Sequence, residues 1–248
     1  MKNKTWFGKA ASLSLALLLV ILCMPITVHA QNYAYTKDFG DYTISSDVDL
    51  EDDSNVLLDN YDRNISFLVP GDYYVTMKEG VIGSAQQKMI VASDDVTLTL
   101  DNIDSSSLIY VNGNKFAGHD PVNLILIGDN KFEGSGYDAL LLIQWASVII
   151  SGPGSLECKS GDNPGIRLDG ATLTLESGTV TATGETASHW DFGAAGICLL
   201  ADSTVIVEDG TLSAFGGDQQ RVWRRRRLLQ EAGAAGFPRC QRIRRRRH

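Results

Sequence analysis

Residues 172–184 read TLTLESGTVTATG and residues 204–216 read TVIVEDGTLSAFG, and the two align without a gap at a spacing of 32. Thr172 matches Thr204, Leu175 matches Val207, Glu176 matches Glu208, Gly178 matches Gly210, Val180 matches Leu212 and Gly184 matches Gly216. Each copy alternates apolar and polar residues and then meets Gly or Asp, the pattern of a half-buried strand that stops at a turn. A further segment of the same kind precedes each copy, PGIRLDGA from Pro164 and AGICLLADS from Ala195. One repeat therefore holds three short strands.

The pattern extends upstream. VIISGPGSLECKSG from Val148 sets Gly154 and Leu156 24 residues before Gly178 and Val180, and VNLILIGDNKFEG from Val122 sets Leu126 and Phe132 24 before Ile150 and Leu156. VTLTLDNI from Val96 lies 26 before Val122. A strand advances roughly 3.3 Å per residue, so three strands of about five residues close into a coil, and successive coils stack at the inter-strand distance of ~4.8 Å. The fold class this predicts is all-β, a parallel β-helix or solenoid with three short strands per coil. Its inward set is Leu98, Leu100, Leu124, Leu126, Ile150, Leu156, Leu173, Leu175, Val180, Val205, Val207 and Leu212. The longer repeat puts GETASHWDFG into a loop at one corner. The competing architecture is an antiparallel β-sandwich, which also shows short strands between regular turns. Residues 31–90 read as an N-terminal β segment and cap, and residues 91–218 as the coils.

The stretch PGDYYVTMKEGVIGSAQQKMIVASDDVTLTLDNI, with DNKFEGSG, GPGSLECKSG and ATLTLESGTVTATG after it, resembles the secreted bacterial β-helix proteins described as carbohydrate-binding domain-containing. Their fold is similar to that of pectate-lyase-type polysaccharide lyases. The resemblance covers about residues 66 to 217. It implies a right-handed β-helix exported to the medium or the cell surface, binding plant polysaccharides such as cellulose or pectin, often with calcium. No catalytic motif carries over from it.

The ends of the chain have a different character. Residues 1–30 have a basic start (Lys2, Lys4, Lys9), an apolar stretch and Val28-x-Ala30, the layout of a secretory signal peptide. Residues 1–218 carry 11 Lys and Arg against 29 Asp and Glu, whereas residues 219–248 carry 11 Arg against Glu231 alone. Arginine runs at 224–227 and 244–247 lie 20 residues apart, close to a coil spacing, which a nucleic-acid arm has no reason to keep. Arginine codons CGG become glycine codons GGC when shifted by one base. The expectation is an Arg-rich unstructured tail over 219–248, the product of a frameshift near Asp218, with further coils encoded in the other frame. A polybasic segment for anionic surfaces is the alternative. Cys158 and Cys198 either pair after export or serve as two small buried hydrophobes.

Three function classes fit this scaffold. Sugar binding needs aromatic rings for pyranose faces and polar groups for hydroxyls. Trp190 with His189 in the corner loop, Trp145, Tyr137 and Tyr110 are the candidates, Trp145 reading more readily as a core aromatic. A polysaccharide lyase needs carboxylates to hold Ca²⁺ and a cationic base to take the α-proton. Glu176 and Glu208 repeat in neighbouring coils with Asp209 beside them, a ladder that permits calcium without requiring it, and Arg167 is a lone candidate base near Glu176. The third class is a surface adhesin whose solenoid face contacts proteins. The first is favoured: a monomeric, non-catalytic, polysaccharide-binding protein at the bacterial surface or in the medium, with no specific nucleic-acid partner and no membrane attachment once the leader is removed.

Overall fold

The computed structural model describes residues 32–59, 61, 63–81, 83–113, 120–134, 136–185, 195–216 and the backbone of 219–224. Among these residues every regular element is a strand. Two hairpins come first, β1 (Tyr35–Phe39) with β2 (Tyr42–Ser46), and β3 (Val56–Asp59) with β4 (Asn64–Phe67). The chain then visits three sheets in turn. In the first lie β5 (Gly71–Met77), β7 (Val96–Asp101), β10 (Val122–Ile127), β13 (Ser147–Ser151), β16 (Thr172–Leu175) and β19 (Thr204–Val207). The second takes β8 (Asp104–Ser105), β11 (Asp129–Gly134), β14 (Ser155–Ser160), β17 (Thr179–Gly184) and β20 (Thr211–Gly216). In the third lie β6 (Lys88–Val91), β9 (Ile109–Asn112), β12 (Leu140–Ile143), β15 (Ile166–Asp169) and β18 (Ile197–Leu200).

Each of these strands pairs in parallel with its neighbour from the next round of the chain. A sandwich of antiparallel hairpins is excluded by those ladders. The segments starting at 96, 122, 148, 172 and 204 are successive neighbours in the first sheet, as the repeat predicts. All twelve expected inward residues are buried, and they join one core cluster with Phe132, Cys158, Ile166 and Leu168. Alternation is the cause, because residues i and i+2 share a face of the pleat.

One expected register is wrong by two residues. The 24-residue spacing places Leu126 opposite Ile150 and Phe132 opposite Leu156, whereas the ladders pair Leu124 with Ile150 and Phe132 with Cys158, an offset of 26. The offset of 24 holds one round later, where Leu156 meets Val180. Since a slip of two returns every side chain to the same face, the core list survives the error. Where Leu156 and Val180 point inward, β11 presents Asn130, which is 1% exposed. Its Oδ1 accepts from the Ile103 N–H at 3.0 Å, and its Nδ2 donates to the carbonyls of Ile127 at 3.1 Å and Ser155 at 3.2 Å. The buried amide is thus satisfied by three successive rounds of the chain.

Corners depend on special backbone. Gly178 sits at φ +84°, and a Cβ there would lie 2.9 Å from the Gly152 carbonyl oxygen, so both conformation and space demand glycine. One end of each sheet is covered. β2 runs antiparallel to β5 at one end of the first sheet, and the β3–β4 hairpin closes one end of the third. β21 (Gln219–Arg224) lies antiparallel along β20. The first six residues of the tail expected to be unstructured are therefore a strand, which satisfies the edge that β20 would otherwise leave open. Residues 225–248, like the leader at 1–30, lie outside the described residues.

Cys158 is buried and free, opposite Phe132 and Ala182, so no 158–198 disulfide forms. Burial pushes its thiol well above the usual range, consistent with a small core hydrophobe.

Candidate functional site

The candidate residues fall at three different corners. Glu176 and Glu208 follow β16 and β19, and their N–H groups continue the ladder by donating to the carbonyls of Ile150 and Leu175, both at 2.9 Å. Both side chains are exposed, as is that of Asp209. Like charges about 5 Å apart in water repel by only about 1 kcal/mol, so the ladder stands without a cation. Among the described residues no group of three or more His, Cys, Asp or Glu is placed to hold a metal ion.

Tyr137 occupies the turn between β11 and β12. It is 54% exposed, with the Lys88 ammonium 4.4 Å from its ring centroid. A sugar ring arriving on that face would compete with the cation. Tyr110 is half-buried on β9, opposite Leu141, and burial raises its phenol above the ordinary range. Trp190 and His189 lie outside the described residues. Arg167 does not lean on Glu176. Its Nη2 lies 3.0 Å from Oδ2 of the buried Asp138, because β15 packs beside β12 and Asp138 immediately precedes that strand's corner.

Trp145 departs most from expectation. Rather than joining the core it is 63% exposed, and the cause is local chain length. β12 and β15 pair at an offset of 26, Leu140 with Ile166, but β13 and β16 pair at 25, Ser147 with Thr172. The turn between β12 and β13 therefore holds one residue more than the turn after β15. Gln144 and Trp145 take it up in left-handed conformations, φ +55° and +69°, and their N–H groups donate to the carbonyls of Asp169 at 3.1 Å and Gly170 at 2.8 Å. The turn closes with the Ala146 N–H donating to the Ile143 carbonyl at 3.2 Å, and Ala146 is buried. The inserted residue thus has no inward position and its indole projects outward. Two adjacent non-glycine residues at positive φ are a stored strain of the kind that gathers at binding sites.

Beside the indole is a shallow dent enclosing about 10 Å³, lined by Asp94, Asn112, Gly113, Asp120 and Ser147 among others. That is room for no more than a water molecule, so a sugar would lie across the exposed indole rather than inside the dent. These residues come from the same corner in neighbouring rounds: Asp94 precedes β7, Asn112 ends β9, Asp120 precedes β10, and Ser147 begins β13. Asn112 Oδ1 is buried and has no hydrogen-bond partner among the described residues, a cost of about 1–3 kcal/mol to the fold. Gly113 backs the site. A Cβ on it would lie 2.3 Å from the Ala146 nitrogen and 2.7 Å from the Gln144 carbonyl oxygen, both backbone atoms of the Trp145 turn.

Gly113→Ala is accordingly expected to push that turn away and to destabilise the chain by about 1–3 kcal/mol in urea unfolding. An unchanged midpoint would show that the two turns do not touch.

Asp94, Asn112 and Asp120 were not candidates from sequence. Aligning the starts of the strands at 96, 122 and 148, rather than their interiors, aligns SDDV, HDPV and QWASV and is the signal that finds Asp94 and Asp120, whereas Asn112 ends a strand of another sheet. No protein-family model, curated protein or solved structure matches the chain.

Proposed function

We propose that the chain is a secreted, non-catalytic polysaccharide-binding protein built as a right-handed β-helix with three short strands per coil. It takes a plant cell-wall glycan such as cellulose or pectin across the exposed indole of Trp145, at the bacterial surface or in the medium. The observation that carries this reading is the Trp145 indole. It is 63% exposed, held out by an inserted residue and flanked by Asp94, Asn112 and Asp120. An aromatic face next to a few convergent polar groups is the minimal sugar site.

The pairing of the described cations weighs against a lyase. Lys78 pairs with Asp38 at 3.0 Å, Lys131 with Glu133 at 3.1 Å, and Lys159 with Glu185 at 2.8 Å. Arg167 is tied to Asp138, and Lys88 covers Tyr137. Any of these described cations would have to leave its partner to act as a base, and Lys115 lies outside the described residues. Calcium has a lesser place, as an ion that the Glu176, Glu208 and Asp209 turns tolerate.

The test is retention on insoluble cellulose and pectin, with and without chelator. Trp145→Ala is expected to weaken retention roughly 10- to 30-fold, the scale of a tryptophan at the centre of a small contact, while chelator changes little. Equal retention by the variant removes Trp145 from the site; retention only on protein-coated surfaces favours the adhesin.

A further inference from the structure

Cys198 stands on β18 opposite Arg167, whose guanidinium reaches outward to Asp138, so register places the cysteine on the outer face of the third sheet. The same row holds Tyr110, Leu141 and Arg167, each of them partly exposed, yet Cys198 is 0% exposed. Its sulfur is disulfide-bonded. A second sulfur, with the chain that carries it, therefore lies on that face. The chain has four cysteines, and Cys158 is buried and free, which leaves Cys23 and Cys240 as partners. Cys23 belongs to the leader that the sequence predicts is removed on export.

We infer that Cys198 pairs with Cys240, and that this bond fastens the C-terminal tail across the last coil, over β18. Length permits it. Residues 225–239 separate β21 from Cys240 and span up to about 50 Å, whereas half the perimeter of a 26-residue coil is only about 43 Å. Charge favours it. Exposed Asp169 and Asp202 flank β18 and exposed Glu208 and Asp209 follow β19, while Arg242 and Arg244–Arg247 come directly after Cys240. The topology gives the tail a place: β20 is covered by β21, but β18 and β19 end their sheets among the described residues. The bond forms by exchange with a disulfide-bearing oxidoreductase of the exported compartment. The Cys198 and Cys240 thiols give up two protons and two electrons, and the donor's S–S bond is reduced to two thiols. The tail is then a part of the fold rather than the by-product of a shifted frame, whatever ligand the protein takes.

The experiment is peptide mapping of the full chain, exported to an oxidising compartment, purified without reductant, blocked with iodoacetamide and cut with trypsin. The expected product is peptide 168–221, which carries Cys198, joined to peptide 240–242 and released from it by reductant. Peptide 168–221 alkylated without reduction overturns the inference. So does its linkage to peptide 10–37 through Cys23, to peptide 132–159 through Cys158, or to a second copy of itself. A second readout tests the docking. In the folded, oxidised chain trypsin is expected to cut after Arg225–Arg227 at least roughly tenfold more slowly than in Cys240→Ser, because a fastened segment must open before it is cleaved. Equal rates in the two chains would mean that the tail is not held against the last coil, and overturn the inference as well.

Discussion

Phe132→Ala is expected to lower the free energy of unfolding by about 3–5 kcal/mol, the cost of emptying a large aromatic site in a close-packed core. Phe132 is fully buried on β11, between Ser105 of β8 and Cys158 of β14 in the second sheet. Neither neighbour can swell into the void, since parallel ladders on both sides hold the backbone. The outward neighbour Lys131 provides the control, because its ammonium meets Glu133 at 3.1 Å and both side chains are well exposed. Lys131→Ala should change stability by no more than about 0.5–1 kcal/mol. Urea unfolding of both variants, followed by circular dichroism, reads the difference. Similar costs at the two positions would mean that β11 is slipped by one residue and that Phe132 faces solvent.

The second large effect concerns Asp138. Its side chain is 4% exposed, Oδ2 meets Arg167, and Oδ1 has no partner among the described residues. Burial pushes the carboxyl up to about 6 from an ordinary value of 3.8, outweighing the lowering pull of the guanidinium. A carboxyl raised in the folded state binds its proton more tightly there than in the unfolded chain. Its contribution to stability is therefore complete below about pH 3.8 and is lost as pH rises through about 6. Asp138→Asn should flatten that decline. Arg167→Met leaves the carboxylate buried without its counter-charge, so at pH 7 it should cost about 3–5 kcal/mol. At pH 4 the carboxyl is largely protonated and the same variant should cost far less. Urea midpoints at pH 4, 5, 6 and 7 measure both. A cost for Arg167→Met that is the same at pH 4 and pH 7 would contradict the assignment of a buried, titrating carboxyl.

The core was legible because alternation is robust. Leu173 and Leu175 predict Val205 and Val207 as neighbours at a spacing of 32, and the ladder places them so. Register was legible where the aligned motifs fell on the ladder itself, as at 26 between β7 and β10 and at 32 between β16 and β19. The 24-residue spacing is true between β14 and β17, because the β16–β17 corner is one residue shorter than the β13–β14 corner through Gly152, Pro153 and Gly154, and it does not extend one round upstream, where β10–β13 and β11–β14 both pair at 26. Asn130 has the polar character of a turn residue; its three hydrogen bonds to the backbone of successive rounds are a tertiary fact with no local signature.

Trp145 was misjudged for a related reason. Its apolar character favours burial, and only comparison of paired strands reveals that the turn contains an extra residue. Asp94, Asn112 and Asp120 are far apart in the chain and ordinary as residue types, so they became a site only once the corners were stacked. The Arg167–Asp138 pair was hidden likewise, since Glu176 looked nearer in sequence while Asp138 lies beside it across a strand pair. In the tail, charge density argued against structure, yet the open edge of β20 takes Gln219–Arg224 as a partner.

The measurement that bears most directly on the account is amide chemical-shift mapping of the isotope-labelled chain during titration with cellohexaose. Saturable shifts concentrated at Asn112, Gly113, Trp145, Ala146 and Ser147, and abolished by Trp145→Ala, are the predicted result. Shifts confined to the Glu176 and Glu208 turns or to the Tyr137 corner, or none at millimolar sugar, would contradict it.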